Sequence, residues 1–430
     1  MTQEPSRLVA LVFPYFHEQD PVDILFSPLG IASLAARLRE RGIPFRIHDG
    51  TFSTFDRTVD AITAQRPSIV ALSVMVTMSR NAFALLDALR PRLPDTLFVA
   101  GGPFPTVDPD RFAKRFDCVF LGEGDYSFPA FCNDYVRADH PFRPETIDPG
   151  RYPGIRITRG ASVIASPPRH QSVEELNALP LPDRSQFDHR AYQEFWMKNT
   201  GSRVTSLMVT RGCPFSCDFC SRPVWGNHFR KTDLDRVFRE IAEITALGYD
   251  RLWIADDCFT LDSRYLEEFC ERMIAQNIPL TWTCLSRVDR LDPGQARLMR
   301  QAGCVRVYLG LESGSDRTLA LMGKKSSVED GRSAVRLFHA AGIGTAGFFI
   351  VGYPGEDTTS VEETFAFVLS LPLDEVSFNV PLPLPGTPLF SRVGIPATWE
   401  DWDGANQVKF VYPSEFDAAW LKRRIDETLA

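Results

Sequence analysis

The chain has 430 residues, of which 44% are hydrophobic, and it carries a net charge of −8. That length suits two or three domains with substantial cores. The acidic balance, with no long Lys/Arg block, excludes duplex DNA as the expected partner and favours a small-molecule substrate or a peptide. The longest apolar runs are too short to span a bilayer, and the polar start lacks a signal peptide's apolar core, so we expect no membrane association and a cytoplasmic location.

Residues 1–140 alternate between apolar runs and amphipathic stretches. Five apolar runs, from "RLVALVF" to "DCVFLGEG", have the character of strands, and "PLGIASLAARLRERG" has the apolar spacing of a helix. The pattern predicts an α/β domain of Rossmann or flavodoxin-like type, with a parallel sheet wrapped by helices. Ligands of such sheets bind over the carboxyl ends of the strands, where small residues allow close approach to the backbone. The candidates at those ends are Ser73, Gly101, Gly102, Gly122, Glu123 and Gly124.

Residues 141–204 differ in composition from what precedes them. Proline recurs in "HPFRPETIDPGRYPG", "SPPRH" and "LPLPDRS", and the apolar residues show little periodicity. We therefore expect a linker that has short structure of its own.

Strand and helix patterns return over residues 205–390. Six apolar runs, beginning with "SLMVTR" and ending with "EVSFNVPLPL", are separated by helical segments. Six β/α units are too few for an eight-stranded TIM barrel, so we predict a partial (β/α)6 barrel with its active site at the strand C-termini. Residues 391–430 are expected to form a tail on the barrel. Its aromatic residues Trp399, Trp402, Phe410 and Tyr412 either close a substrate pocket or pack the barrel's open side.

Three of the nine cysteines, Cys213, Cys217 and Cys220, follow the first strand of the predicted barrel at C-x3-C-x2-C spacing. A closed zinc site usually needs two separated Cys/His pairs, and neither His228 nor Cys258 completes a recognisable zinc spacing. Thiolates at the observed spacing suit a cubane iron–sulfur cluster, in which each sulfur binds a different iron and the fourth iron stays open. The other six cysteines stand singly among apolar residues, as expected of core positions.

The cysteine motif and its barrel context resemble the radical S-adenosylmethionine superfamily. Further stretches are similar to this superfamily: "WIADDCFTLD", "SRVDRL", "LGLESGSDRTLALMGKK", "FIVGYPGED" and "PLPLPGTPLF". The resemblance implies a 4Fe–4S cluster whose open iron is chelated by S-adenosylmethionine, and an electron donor such as flavodoxin or ferredoxin. It also implies reductive cleavage to a 5′-deoxyadenosyl radical, which can remove hydrogen from an unactivated carbon.

The resemblance assigns roles to several residues by position. Phe219 would stack near the adenine of S-adenosylmethionine, and Glu312 and Ser313 would face its methionine end. Arg287 would pair with the cofactor carboxylate, and Asp256 and Asp257 would reach its amino group or ribose. Gly352 and Tyr353 lie in a stretch that matches the family's adenine motif loosely. Two alternatives stay open: Glu312 in a salt bridge at the barrel lip, and Arg287 in an ordinary ion pair with Asp289. We interpret "MGKK" as a solvated turn.

Stretches of the N-terminal domain resemble the branch of this superfamily that has an N-terminal cobalamin-binding domain: "SPLGIASLAARLRERGI", "AGGPFPT", "FLGEGD" and "LNALPLPDRS". By this resemblance, the six candidates at the strand ends would hold cobalamin. No D-x-H-x-x-G motif supplies an axial histidine, Phe104 stands where relatives frequently have a histidine, and His17 fits a surface position. Some relatives, such as diol dehydratases, keep the domain and use S-adenosylmethionine alone.

Three functions are compatible with the sequence. The first is cobalamin-dependent C-methylation of a small natural-product or cofactor-like molecule, in which methylcobalamin passes a methyl group to a substrate radical. The second is a cobalamin-independent radical dehydration, epimerisation or rearrangement. The third is a non-catalytic zinc-binding interaction protein.

Overall fold

A computed structural model describes residues 7–19, 22–138, 147–159, 162–222, 224–289, 292–394, 408 and 410–430. The chain divides into two compact units. The first comprises Met1–Gly201 and Pro223–Trp225, and the second comprises Ser202–Arg222 and Gly226–Ala430. Across the described ranges, no helix is long and apolar enough to cross a membrane.

A seven-stranded sheet forms the centre of the first unit. Its strands are β1 (Val9–Phe13), β2 (Phe45–Asp49), β3 (Ile69–Ser73), β4 (Leu97–Gly101), β5 (Cys118–Phe120), β6 (Ile155–Arg159) and β7 (Ser162–Ala165). The strand order is β2-β1-β3-β4-β5-β6-β7. Strands β1 to β5 are parallel in the flavodoxin-like order 2-1-3-4-5, as predicted. Ligands of such a sheet bind at the switch point between β1 and β3.

Eight helices accompany this sheet in the part of the unit that is described. They are α1 (Leu29–Glu40), α2 (Phe55–Gln65), α3 (Ser79–Leu89), α4 (Pro103–Val107), α5 (Pro109–Ala113), α6 (Ser127–Arg137), α7 (Val173–Asn177) and α8 (His189–Thr200). Helix α2 shows how the sequence sets their placement. Thr54 caps it by accepting a hydrogen bond from the Arg57 N–H, and Val59 and Ile62 are buried.

The segment 141–204, expected to be a linker, contributes two strands and two helices to the first unit. Strands β6 and β7 form an antiparallel hairpin on the edge of the sheet. Helix α8 is fastened by its Trp196 Nε1, which donates to the Leu25 carbonyl at 2.6 Å, and by Tyr192, which donates to Asp49 at 2.8 Å. Strand β7 is largely exposed and the prolines lie outside both strands, so this edge hairpin shows no buried apolar run.

The second unit contains a sheet of six parallel strands and a small hairpin. The strands are β8 (Val204–Leu207), β9 (Thr210–Arg211), β10 (Arg230–Lys231), β11 (Arg251–Ile254), β12 (Thr281–Ser286), β13 (Cys304–Glu312), β14 (Gly344–Ile350) and β15 (Glu375–Asn379). The large sheet has the order β15-β14-β13-β12-β11-β8, and β9 pairs antiparallel with β10. The predicted open arrangement of six β/α units is confirmed, with β8 and β15 at the two edges.

Eight helices accompany this sheet in the described part of the second unit, and several of them pack on one of its faces. They are α9 (Leu234–Ala246), α10 (Ser263–Ala275), α11 (Pro293–Gln301), α12 (Asp316–Leu321), α13 (Val328–Ala340), α14 (Thr358–Leu369), α15 (Pro388–Val393) and α16 (Ala418–Leu429). The core between sheet and helices includes Trp282, whose ring meets Phe259 and Phe269 edge to face. Because side chains alternate along a strand, Trp253 and Tyr308 lie on the opposite face.

The C-terminal tail packs beside β14 and α14 in the second unit. Leu421 and Ile425 of α16 are buried against Val351 and Phe365. Two of the four tail aromatics, Phe410 and Tyr412, are described, and the Tyr412 hydroxyl donates to the Gly352 carbonyl at 3.2 Å. Trp399 and Trp402 lie outside the described residues.

Candidate functional site

The three motif cysteines lie in the loop between β9 and β10, beyond the C-terminal end of β8. Cys213, Cys217 and Cys220 are partly exposed free thiols. The six other cysteines are at most 2% exposed, which confirms their prediction as core residues. They are Cys118, Cys132, Cys258, Cys270, Cys284 and Cys304. Only the motif cysteines are therefore available to an exogenous ligand.

The donor set of this loop fits a cluster better than a single ion. Within the ranges that the structure covers, no three His, Cys, Asp or Glu residues are grouped so as to hold one metal ion. Thiolates that each bind a different iron are spread around a cube, whereas zinc ligands converge on one point. Arg222 lies near Cys213 and Cys220, and its buried Nε has no partner among the described residues. This cationic donor suits an anionic group held by the cysteines.

Burial has the largest influence on the pKa values of the Cys213 and Cys220 thiols. It raises the pKa of the Cys220 thiol to about 12, although Arg222 acts in the opposite direction. It also raises the pKa of Cys213, against the lowering effects of the Phe215 N–H and Arg222. A coordinated thiol is deprotonated by the positive charge of the metal, so iron binding would release protons from this loop.

The base of the cysteine loop is held by Asp256, which follows β11. Its carboxylate accepts from the Val209 N–H at 2.7 Å, the Thr210 N–H at 2.8 Å and the Thr210 hydroxyl at 2.7 Å. Burial raises the pKa of Asp256 to about 7, against the lowering effect of these hydrogen bonds. Asp256 is thus engaged by protein donors on both oxygens. The neighbouring Asp257 is exposed and accepts from the Gly212 N–H.

Gly212 starts the loop in a conformation that requires glycine. Its φ is +83°, and an added Cβ would lie 2.1 Å from the His228 carbonyl oxygen. The two sides of the loop therefore approach each other more closely than any other residue type allows.

Arg287, at the end of β12, lies against the same loop. Its guanidinium is 3.8 Å from the ring centroid of Phe215, between the first two cysteines. It also forms a two-pronged ion pair with Asp289, at 2.9 and 3.1 Å, and donates to the Lys325 carbonyl at 3.3 Å. The ion pair that we kept as an alternative is present. Arg287 is buried, and it contacts the cysteine loop through its cation–π interaction with Phe215.

Asp218, between the second and third cysteines, joins the loop to three other elements. Its N–H donates to the Met322 carbonyl at 2.9 Å, and its carbonyl accepts from the Leu389 N–H at 3.0 Å. Its carboxylate accepts a short hydrogen bond from the Tyr353 hydroxyl and is ion-paired with Arg392.

Phe219 and Tyr353, both predicted to lie near adenine, share one apolar cluster. Tyr353, Met322 and Leu389 form its buried centre, and Phe219 packs against it. The structure brings these two predicted residues together, although the Tyr353 ring is fully buried and its hydroxyl is used by Asp218.

Glu312 ends β13 in a strained conformation. Its φ is +63°, in the left-handed region that costs a residue with a side chain about 1–3 kcal/mol. Its Oε1 is 2.6 Å from the Lys324 Nζ, and both residues are buried. A Cβ on Gly310 would lie 2.5 Å from this oxygen and 2.8 Å from the Lys324 nitrogen, so the glycine makes room for the pair. The salt bridge that we kept as an alternative is present.

Ser313, predicted to face the methionine end of the cofactor, is fully buried. Its hydroxyl is 3.0 Å from the Thr364 hydroxyl and accepts from the Ser315 N–H at 3.1 Å. These contacts fasten the β13–α12 turn to α14.

Gly352 lies where β14 leaves the sheet. Its φ is +78°, and an added Cβ would lie 2.6 Å from the Phe410 ring. The Gly352–Glu356 turn and residues of the tail, including Tyr412 and Phe416, line an open pocket of about 310 Å³. Glu356 is buried in this turn, where its carboxylate accepts from the Tyr353 N–H at 2.7 Å and from Thr318 at 3.1 Å.

In the first unit, Ser73, Gly101 and Gly102 lie together at the ends of β3 and β4. Gly102 has φ +102°, and an added Cβ would lie 3.0 Å from the Val74 nitrogen and 3.3 Å from the Ser73 hydroxyl. A Cβ on Gly101 would meet only ordinary contacts, at 3.6 Å or more. Steric demand for glycine is therefore strong at Gly102 and weak at Gly101.

Gly122, Glu123 and Gly124 follow β5. Gly122 has φ +70°, whereas a Cβ on Gly124 would have ordinary contacts at 3.8 Å or more. The Glu123 side chain is fully buried and accepts from the Gln171 N–H at 3.3 Å. Glu123 therefore supports the fold of this unit more directly than it presents a group to a ligand.

Neither position that we weighed for an axial histidine offers a free imidazole at the strand ends. Phe104 is buried and packs edge to face on Phe112. His17, just after β1, is half-buried beside Tyr15 and the ring of Phe195.

Sequence reasoning missed Lys324 and Asp218. The motif "MGKK", interpreted as a solvated turn, buries Met322 and Lys324, whereas Gly323 and Lys325 are exposed. The signal was weak: Lys324 follows a glycine of φ +62° directly after α12, a geometry that turns the next side chain inward. Asp218 gave no signal apart from its place within the cysteine motif.

Two family models match the chain. The radical SAM superfamily matches residues 207–368, and the B12 binding domain matches residues 22–132. The chain therefore combines a domain of the radical S-adenosylmethionine superfamily with an N-terminal B12-binding domain. The radical SAM domain implies a 4Fe–4S cluster and S-adenosylmethionine as cofactors.

The chain is similar to other proteins over most of its length. An uncharacterized methyltransferase of Pyrococcus horikoshii is 28% identical over 84% of this chain and 77% of its own length. The anaerobic magnesium-protoporphyrin IX monomethyl ester cyclase of Rubrivivax gelatinosus is 26% identical over 93% of this chain and 72% of its own length. The fold matches the radical S-adenosylmethionine methyltransferase TsrM from Kitasatospora setae, solved with cobalamin and a 4Fe–4S cluster bound. That match has a TM-score of 0.75 and 20% identity, and covers 90% of this chain and 78% of that one.

Proposed function

We propose that this protein is a cobalamin-dependent radical methyltransferase that adds a methyl group to a carbon of a small molecule. The observation that carries the proposal is the presence of both family matches in one chain, whose relatives include proteins described as methyltransferases. The partly exposed cysteine loop supports the cluster assignment, as does Arg222, whose Nε has no partner among the described residues while its Nη1 donates to the Cys213 carbonyl at 2.6 Å.

In this proposal the residues of the second unit bind and orient the cofactors. Cys213, Cys217 and Cys220 would ligate three irons of a 4Fe–4S cluster, and Arg222 would stand beside it as a cation. When bound, the cluster would supply the electron for cleavage of a C–S bond of S-adenosylmethionine, and cobalamin would supply the methyl group. Asp257, exposed beside Gly212, is better placed than the buried Asp256 to reach the amino group or ribose. The proposal keeps Phe219 and Gly352 on the adenine side.

The strand ends of the first unit supply the cobalamin site in this proposal. Gly102 and Gly122 have positive φ and no side chain, so a corrin can approach their backbone closely. Phe104 stands as a buried ring where relatives frequently have a histidine, so this position offers no imidazole to a bound cobalamin.

We base the proposed substrate class on the sheet face opposite to the hydrophobic core. Trp253 and Tyr308 meet there edge to face at 4.7 Å between ring centroids, and Tyr308 stacks on Phe348 at 5.7 Å. These aromatic rings favour a substrate with an aromatic or hydrocarbon skeleton. The electron donor would be a flavodoxin or ferredoxin, and the cytoplasm remains the predicted location.

One observation favours a second candidate, a radical rearrangement or cyclisation without methyl transfer. The relative from Rubrivivax gelatinosus is described as a cyclase, and its match spans 93% of this chain. In that case the first unit would keep its fold and have another role.

An experiment with labelled cofactor separates the two candidates without knowledge of the substrate. The full chain is reconstituted anaerobically with iron, sulfide and hydroxocobalamin, then passed through gel filtration. It is next incubated with a low-potential reductant and S-adenosylmethionine labelled in its methyl group. We expect retained corrinoid absorbance and label in the corrinoid fraction. Formation of 5′-deoxyadenosine by protein that retains no corrinoid would favour the second candidate, and zinc in place of iron would exclude both.

A further inference from the structure

Asp218 is one of the two residues between Cys217 and Cys220. All of its backbone and side-chain polar atoms take part in hydrogen bonds or an ion pair. Its backbone is bonded to Met322 and Leu389, and its carboxylate to Tyr353 and Arg392. The tip of the cysteine loop is thus held by the end of α12, by α15 and by the turn after β14. Nothing in the cysteine motif itself requires such contacts.

The charge of Asp218 is buried beside a proposed cluster ligand. Its side chain is 13% exposed, while that of Arg392 is 37% exposed. The Tyr353 hydroxyl is close enough to Cys217 to interact with it electrostatically, and burial raises the pKa of this phenol, so it acts as a neutral donor. Arg392 is therefore the cation that balances Asp218, since Tyr353 brings no charge.

Other charged groups face the loop from different elements. Arg222 lies near Cys213 and Cys220, Arg287 acts on Cys217 from β12, and Asp257 acts on Cys213 and Cys220 from the end of β11. Arg287 is already balanced by Asp289. The Asp218–Arg392 pair differs from these because one of its members lies within the motif.

We propose that Asp218, Tyr353 and Arg392 are positioning residues that set the reduction potential of the cluster held by the adjacent cysteines. One electron from an external low-potential reductant converts the oxidised cluster to its reduced form, which adds one negative charge and moves no proton. A nearby cation stabilises that added charge and a nearby anion opposes it. Arg392 therefore raises the potential and Asp218 lowers it.

The same three residues connect the cluster loop to the turn after β14. Tyr353 lies between Gly352, which shapes that turn, and Glu356, which accepts from the Tyr353 N–H. A change in this turn would reach the cluster through the Tyr353 hydroxyl. The inference rests on the cluster assignment in the proposed function and adds residues that the cysteine motif does not contain.

The test is a redox titration of the reconstituted full chain, followed by electron paramagnetic resonance of the reduced cluster. Arg392→Met should shift the potential to more negative values, and Asp218→Asn should shift it to more positive values. The double variant should return toward the parent. Arg424→Met is the matched control, because Arg424 is ion-paired with Glu362 in the same unit, between α16 and α14, and should leave the potential unchanged.

Each outcome of this titration decides something. Opposite shifts that cancel in the double variant support the inference. Unchanged potentials, or shifts of the same sign in variants that keep four irons, overturn it. If Arg392→Met loses iron, Arg392→Lys keeps the charge and should restore both iron content and potential, and failure of that rescue also overturns it. A parent protein that assembles no cluster contradicts the proposed function instead.

Discussion

The ammonium nitrogen of Lys324 lies 2.6 Å from a carboxylate oxygen of Glu312, inside the second unit and next to a glycine that leaves space for both. Glu312 adopts a left-handed backbone conformation to make this contact. Such strain persists only where surrounding structure holds it, and it is concentrated at functional sites. The pair therefore gives the strand end of β13 a fixed charge arrangement at the side of the sheet where the cysteine loop lies.

Breaking this pair should be costly. Lys324→Met leaves the Glu312 carboxylate buried without its partner, which typically costs about 3–5 kcal/mol. Lys325→Met changes an exposed neighbour and should stay within about 0.5 kcal/mol of the parent. Urea unfolding followed by circular dichroism measures both. Equal unfolding midpoints for the two variants would contradict a buried pair.

Removal of one motif thiolate should abolish the cluster. Cys217→Ala leaves one iron without its ligand, so we expect loss of bound iron and at least a 100-fold loss of 5′-deoxyadenosine formation. Cys270→Ala removes a fully buried thiol from the core and should retain both. Iron analysis and chromatography of the nucleoside product measure the two. A Cys217→Ala protein that holds four irons and cleaves the cofactor would remove the assignment.

Gly212 permits a matched test of close backbone approach. Gly212→Ala places a methyl group 2.1 Å from the His228 oxygen, whereas Gly386 has a similar φ, +82°, with nothing within 4 Å. Gly386→Ala should therefore cost only the backbone strain of about 1–2 kcal/mol. We expect Gly212→Ala to lose cluster binding during reconstitution and Gly386→Ala to keep it. Equal iron content in the two variants would show that the two sides of the cysteine loop can move apart without loss of iron.

Asp256 predicts a particular pH dependence for the protein without its cluster. Burial raises the pKa of this carboxyl from 3.8 to about 7, so between these values the folded state binds a proton that the unfolded state has released. Its contribution to stability is therefore greatest below about pH 4, falls as pH rises to about 7 and is constant above that. Asp256→Asn should flatten this part of the profile, measured by urea unfolding from pH 4 to pH 8. An unchanged slope would assign the dependence to another group.

For the first unit, Gly102 is the most informative position. Gly102→Leu must displace Val74 and block approach to the backbone, so we expect no corrinoid to remain after gel filtration. Gly42→Leu, at a glycine of φ +64° with nothing within 4 Å, is the matched control and should retain it. Cleavage of S-adenosylmethionine, which is assigned to the second unit, shows whether each variant is folded. Equal corrinoid retention in both variants would place the cobalamin elsewhere.

The sequence predicted best where a single physical signal dominates. The alternation of apolar runs gave the parallel order of β1 to β5 and the six strands of the second sheet, because each buried strand needs an apolar run. Cysteine spacing separated three partly exposed thiols from six buried ones. The sequence could not show that the Lys324 side chain is buried, since that depends on the left-handed glycine before it and on the space beside Gly310. Nor did it predict the β6–β7 hairpin, in which β7 is largely exposed and the alternating apolar signal is limited to Ile155 and Ile157 of β6.

The role of Asp256 was also out of reach. Its place after β11 suggested a ligand-binding group, and only the structure shows three protein donors on its two oxygens. Arg287 and Ser313 differ from the cofactor-binding expectation in the same way, because the side chains of Asp289 and Thr364 contact their polar atoms.

The contacts that hold the cysteine loop have a consequence for the assembly of the cluster. Asp256, the Gly212 crossing and Asp218 hold the loop through groups that are not sulfur, so most of its conformational entropy is already lost before any iron arrives. Assembly of the cluster would therefore need little rearrangement of the chain, and loss of the cluster would leave these contacts in place.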